Sequence, residues 1–242
     1  AAFAPTQIAA MTTDQLQSLS SDNIAALTTK QAASLTAAQV ATLSSAELNS
    51  FETSEIAALN VAALSGIDST TLASLSTANF AALSAAQVAK LSTAQIGAVT
   101  SAQLDVLTTG QITGLSAAQI KTITTSALSA LDSTQVAAFA PTQIAAMTTD
   151  QLQSFNSDNI AALTTKQAAA LTSAQVATLS SAELNSFDTA EIAALGIAAL
   201  PGLTTSAIIG LTDATLNAFT TQQVQALDSA QVEAVITAYN NV

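Results

Sequence analysis

The sequence predicts an all-α fold: an α-solenoid, or superhelix, of very short capped helices, one per eight residues. A large apolar residue stands at every eighth position from Phe3 through Val235, thirty times without a slip in register. Most octads also place helix-starting residue types at fixed offsets from it. The abundance of Ala, Leu and Gln favours helix over strand. Uninterrupted short-period repetition makes each unit present the same face to a shared core.

Counting from the apolar residue as position 1, LSTAQIGA at 91–98 and LTTKQAAA at 163–170 are typical units. Position 2 is nearly always Ser, Thr, Asp or another small residue that caps helices, position 5 is mostly Gln or Glu, and position 6 mostly Ile, Val or Leu. That pattern is a capping box. Thr164 accepts from the first free N–H groups, and Gln167, three residues on, reaches back to the cap's own N–H. The apolar residues at positions 1 and 6 then form the two ends of a hydrophobic staple. Pro5 and Pro141 both fall at position 3. This is the first helical residue, where proline is best tolerated.

Other periods fail. Eight residues of continuous helix rotate an apolar stripe by ~80°, so no fixed face would form. In a strand, positions 1 and 6 would point to opposite faces. The chain is therefore expected to turn at every octad, with helices of roughly six or seven residues, ~10 Å long. Helices this short depend on tertiary burial. With three or four units per superhelical turn, thirty octads would make a rod of order 70–100 Å. Positions 1 and 6 should fill the axis, and Ala at positions 7 and 8 should let neighbouring helices approach.

The whole of 1–242 reads as one repeat array carrying a longer duplication. Residues 1–64 recur at 137–200 with 56 of 64 positions identical, an offset of 136 residues or seventeen octads. Both copies reach a unit without the capping box, LNVAALSG at 59–66 and LGIAALPG at 195–202. Gly66 and the Pro201–Gly202 pair suggest a bend or loosened turn there. The ending AYNNV places Asn240 where an apolar residue belongs, so the array is expected to stop there. The chain begins without Met at the seventh position of an octad, and so reads as a mature fragment or as a segment cut from a longer array.

Composition removes several functions. Sixteen acids face four lysines and no arginine, a net charge of −12, which argues against nucleic acid as a partner. There is no Cys and no His, leaving Met11, Met147 and Tyr239 as remaining ligands for a soft metal or haem. The longest apolar run, 192–203, has twelve residues against the ~20 of a bilayer helix, and no signal peptide is visible at the start. Without His to activate a hydroxyl, the many Ser and Thr read as caps, and Lys30, Lys90, Lys121 and Lys166 read as outward-facing; no enzyme is expected.

Two acidic groups are the candidate metal ligands: Glu47, Glu52 and Glu55, and their repeat Glu183, Asp188 and Glu191. Calcium would need six or more converging oxygens. Against that, fourteen of the sixteen acids lie at positions 2 to 5, where a negative charge complements the helix dipole. All seven Phe occupy positions 1 or 6, which leaves no exposed stacking platform, and both Met read as core fillers.

The cadence of LTTGQITG at 107–114 and LTSAQVAT at 171–178, an LTTxQ[VI]xx octapeptide, resembles repeat regions of large bacterial secreted and cell-surface proteins, often labelled haem-utilisation or adhesion proteins. The resemblance spans the chain. It implies an extracellular, adhesin-like stalk, fibre or layer at the bacterial cell surface; no cofactor is expected, because no His or Cys is present to ligate haem iron. Partners would then be further copies, joined head-to-tail or laterally, or another surface protein. The alternative is a solenoid module that binds a protein or Ca²⁺.

Overall fold

The computed structural model describes residues 3–240; Ala1, Ala2, Asn241 and Val242, the last two closing the AYNNV ending, lie outside the described residues. The chain is helical throughout, with 27 α-helices and two 3₁₀ segments following one another and no strand among the described residues. It divides into two compact units, Ala1–Ala130 and Leu131–Val242.

The helices, Ser229–Asn240 excepted, are four to six residues long, shorter than the octad alone suggests. The reason is visible at each junction. The N–H of position 1 closes a bond to the carbonyl three residues back, as in Leu35 to Ala32 at 3.1 Å and Leu107 to Leu104 at 3.1 Å. That tightened last turn ends the α-helical ladder early. Positions 1 and 2 are then both extended: Leu91 has φ −59°, ψ 142° and Ser92 has φ −67°, ψ 161°. No described residue, glycine included, has positive φ. The chain turns through paired extended residues rather than through left-handed glycine caps, so ordinary residues serve at every corner.

Start signals work as the spacing predicts. Ser92 Oγ accepts from Gln95 N at 3.1 Å, while Gln95 Oε1 accepts from Ser92 N at 2.7 Å. Before the prolines half the box is missing: Ala4 has no side-chain acceptor, but Gln7 Oε1 still accepts from Ala4 N at 2.8 Å.

Within each unit a helix packs against the one three octads away. In the first, Thr29–Ala32 lies between Pro5–Ala10 and Thr53–Ala58; in the second, Thr165–Ala168 lies between Pro141–Ala146 and Thr189–Ala194. Positions 1 and 6 form the core, for example Leu72, Leu75, Phe80 and Leu83, all buried. Positions 7 and 8 sit at the rim between turns. A Cβ on Gly97 would stand 3.3 Å from Thr122 O.

Two expectations need correcting. The units at Gly66 and Gly202 are not loosened bends. They form the 3₁₀ segments Val61–Gly66 and Ile197–Gly202, pressed against Ala37–Val40 and Ser173–Val176. The last two octads do not turn at Val235 but fuse into one helix, Ser229–Asn240. Position 2 of the final octad is Ile236, which offers no cap to start a new helix. Tyr239 is therefore ordered, its hydroxyl donating to Asn217 Oδ1 at 2.9 Å.

Candidate functional site

The side chain that organises each unit is the position-5 glutamine, and it has a second role that the octad spacing does not announce. Besides completing the capping box through Oε1, it donates through Nε2 to two main-chain carbonyls one superhelical turn back. Gln39 Nε2 reaches Ile8 O at 2.7 Å and Met11 O at 2.9 Å; Gln95 reaches Leu64 O at 2.8 Å and Ile67 O at 2.7 Å. In the second unit, Gln175 reaches Ile144 O at 2.7 Å and Met147 O at 2.9 Å; Gln231 reaches Leu200 O and Leu203 O, both at 2.8 Å. These offsets of 31 and 28 residues correspond to between three and a half and four octads. Each amide thus uses both hydrogens and its oxygen in a setting where an unpaired polar group would cost about 1–3 kcal/mol.

The signal was present in the composition. Glu completes a capping box as well as Gln and suits a helix N-terminus better. Yet Gln fills position 5 in sixteen octads and Glu in only four. Only an amide supplies the two donors. Asn79 keeps both bonds of the rung, Nδ2 reaching Leu48 O at 3.1 Å and Phe51 O at 3.3 Å, and Asn159 Nδ2 reaches Leu131 O at 2.8 Å.

The four glutamates at position 5 are Glu47, Glu55, Glu183 and Glu191, two consecutive octads in each copy. Glu47 Oε2 accepts from Ser44 N and Oγ, both at 2.8 Å, and Glu183 Oε2 accepts from Ser180 N and Oγ, both at 2.7 Å. Asp188 Oδ1 accepts from Ala190 N and Glu191 N, and Glu191 Oε2 from Asp188 N at 3.1 Å. Glu55 lies beside Ser54, and Glu52 is an N-cap without a side-chain cap bond. Glu47, Glu183, Asp188 and Glu191 are thus turned onto their own helix starts, Glu52 and Glu55 are not, and no three acids gather into a metal-holding group among the described residues. In the octads of Glu47 and Glu183, where Glu removes a backward rung, an asparagine supplies a forward one. Asn49 Nδ2 donates to Ser74 O and its Oδ1 accepts from Ser76 N, both at 2.8 Å; Asn185 repeats this with Gly210 O and Thr212 N, both at 3.0 Å.

Two carboxyls respond differently to this setting. Asp188 is held below the usual aspartate value by the Glu191 carboxyl beside it and by main-chain N–H groups. Glu191 is pushed up, first by burial and then by Asp188. A raised native value means the folded state holds that proton more tightly. The stabilisation is present below the unfolded value of roughly 4.3 and is lost as pH rises through the native one. Glu191→Gln cannot ionise and restores the missing donor. The variant is expected to be more stable at neutral pH by about 1 kcal/mol, a gain that shrinks on acidification to roughly pH 4, measured by urea melts at both.

The remaining candidates scatter. Lys30, Lys90, Lys121 and Lys166 are all exposed, on separate octads. Met147 is buried; Met11 is half-buried. Phe3 departs from the expectation for the aromatics: it is 46% exposed, on the outer face of the first turn. An apolar cavity of about 190 Å³ lies under Ser229–Asn240, lined by Leu203, Ile208, Leu216, Phe219 and Val235, with Tyr239 at its edge. It holds no acid–base pair. No helix among the described residues is long and apolar enough to cross a membrane.

Comparison with known families returns the same duplication. Residues 1–29 and 8–45, and again 137–165 and 144–181, match the family model of the ALTTAQ repeat. No curated protein matches the chain. In those windows the chain is similar to a short repeat family.

Proposed function

We infer that this chain is a non-enzymatic structural module of a bacterial extracellular or cell-surface protein, acting as part of a stalk, fibre or layer. One observation carries the reading: in turn after turn, the polar side chains that could do chemistry are engaged in holding the backbone. Ser, Thr and Asp cap helices, and the buried amides bind main-chain carbonyls, as Gln95 and Gln175 do. Repeating the same bonds extends a support without creating a distinct site. The likeness to surface-protein octapeptides is what supports the surface location.

The test is where the parent protein resides. Antibody raised against the array should label intact cells of the source organism, and external protease should remove that label. Label found only after cells are permeabilised would overturn the surface assignment.

A further inference from the structure

We propose that the recess beside Thr215, where the amide ladder loses a rung, binds a primary alkylammonium group, supplied by a lysine side chain or by a free amine. The site goes beyond the structural reading of the chain and does not rest on it.

Thr215 stands at position 5, where an amide ordinarily donates to two carbonyls of the preceding turn. Its counterpart 136 residues earlier is Asn79, whose Nδ2 reaches Leu48 O at 3.1 Å and Phe51 O at 3.3 Å. The equivalent carbonyls behind Thr215 are Leu184 O and Phe187 O. Threonine has one proton to give, and Thr215 Oγ1 donates it to Asn185 Oδ1 at 2.8 Å. Leu184 O accepts Phe187 N at 3.3 Å, and among the described residues no side chain donates to either carbonyl.

The absent amide leaves space. A recess of about 270 Å³ opens there, and its lining combines polar Asp188, Thr212 and Thr215 with apolar Phe187, Ile192 and Ala218. The preceding octad behaves alike. Ala207 also lacks the amide, and a recess of about 450 Å³ is lined by Ala207 and by Leu179, 28 residues back, where a rung would end. A lost rung thus opens a recess twice in succession.

What the Thr215 recess takes follows from what it lacks. Two carbonyls without a side-chain donor call for N–H groups. Asp188, whose Oδ1 accepts from Ala190 N at 2.7 Å and Glu191 N at 3.0 Å, adds a carboxylate at the same place. Together they select a cation with several hydrogens on one nitrogen. The apolar part of the lining suits a carbon stem, whereas a calcium ion would need six or more oxygens. The recess at Ala207 has no carboxylate in its lining and so lacks the charge. A net charge of −12 draws cations to the chain in general.

Titration of the isotope-labelled 242-residue chain with n-butylammonium chloride, followed by two-dimensional NMR, should give saturable shifts centred on Thr189 and Thr215. Tetramethylammonium has the same charge but no N–H, and should leave those signals in place. Nα-acetyl-lysine methylamide separates the sources: binding as tight as that of butylammonium assigns a lysine side chain, and binding of butylammonium alone assigns a free amine. Thr215→Asn restores the rung and fills the recess. It should raise the melting midpoint while weakening butylammonium binding by about tenfold or more. Asp188→Asn keeps a cap acceptor and should weaken binding by a similar factor. The absence of saturable shifts with butylammonium overturns the proposal, as does binding that Thr215→Asn leaves intact or that tetramethylammonium reproduces. None of these results bears on where the parent protein resides, which cell labelling decides separately.

Discussion

Gly66→Ala should destabilise the chain by at least about 3 kcal/mol, the upper range for overpacking, because the new methyl meets backbone rather than a movable side chain. A Cβ at Gly66 would lie 2.0 Å from Ala37 O and 2.9 Å from Ala41 N; at Gly202 it would lie 2.0 Å from Ser173 O. Conformation is not the obstacle, since neither glycine has positive φ. The obstacle is the approach of one turn's 3₁₀ segment to the helix three octads before it. Gly202→Ala should behave alike. Gly110→Ala is the internal contrast: its Cβ would meet only Thr108 Oγ1 at 4.0 Å, within the helix Thr109–Thr113. There alanine should stabilise by about 0.5–1 kcal/mol through helix propensity. Urea titrations of the three variants read opposite signs from the same chemical change. A neutral Gly66→Ala would mean that the tight approach is not what orders these segments.

Gln95→Glu is the second large effect. The substitution keeps an acceptor for Ser92 N but places a buried carboxylate where two carbonyls, Leu64 O and Ile67 O, expect donors. At neutral pH the loss should be about 3–5 kcal/mol, the range for leaving a buried charge uncompensated. Repulsion and burial raise the acid's native value above the unfolded ~4.3, so the loss is smaller in acid and grows as pH rises. The same change at Gln15, which is exposed in this structure and makes the same capping contacts, should be nearly neutral. Equal effects at the two sites would reduce the glutamine to a helix cap and remove the rung.

How much of this was legible in one dimension follows from the range of each interaction. Contacts that close within an octad were readable: the capping box of Ser92 and Gln95, proline at the first helical position, apolar positions 1 and 6 in the core. Contacts that depend on superhelical pitch were not. The reach of Gln95 to Leu64 and Ile67 needs to know how many octads make a turn, and no local spacing encodes that. Gly66 was misjudged for the same reason, because glycine marks a bend and a close approach with the same letter. The fusion of the last two octads was within reach: Ile236 stands at a capping position and cannot cap. The candidate acids were best explained by their place at helix starts, and Glu191 and Asp188 lie there.

The rungs recognise main-chain carbonyls, which every octad carries whatever its side chains. Whole octads can therefore be gained or lost by replication slippage or unequal crossing-over, and each amide still finds an acceptor behind it.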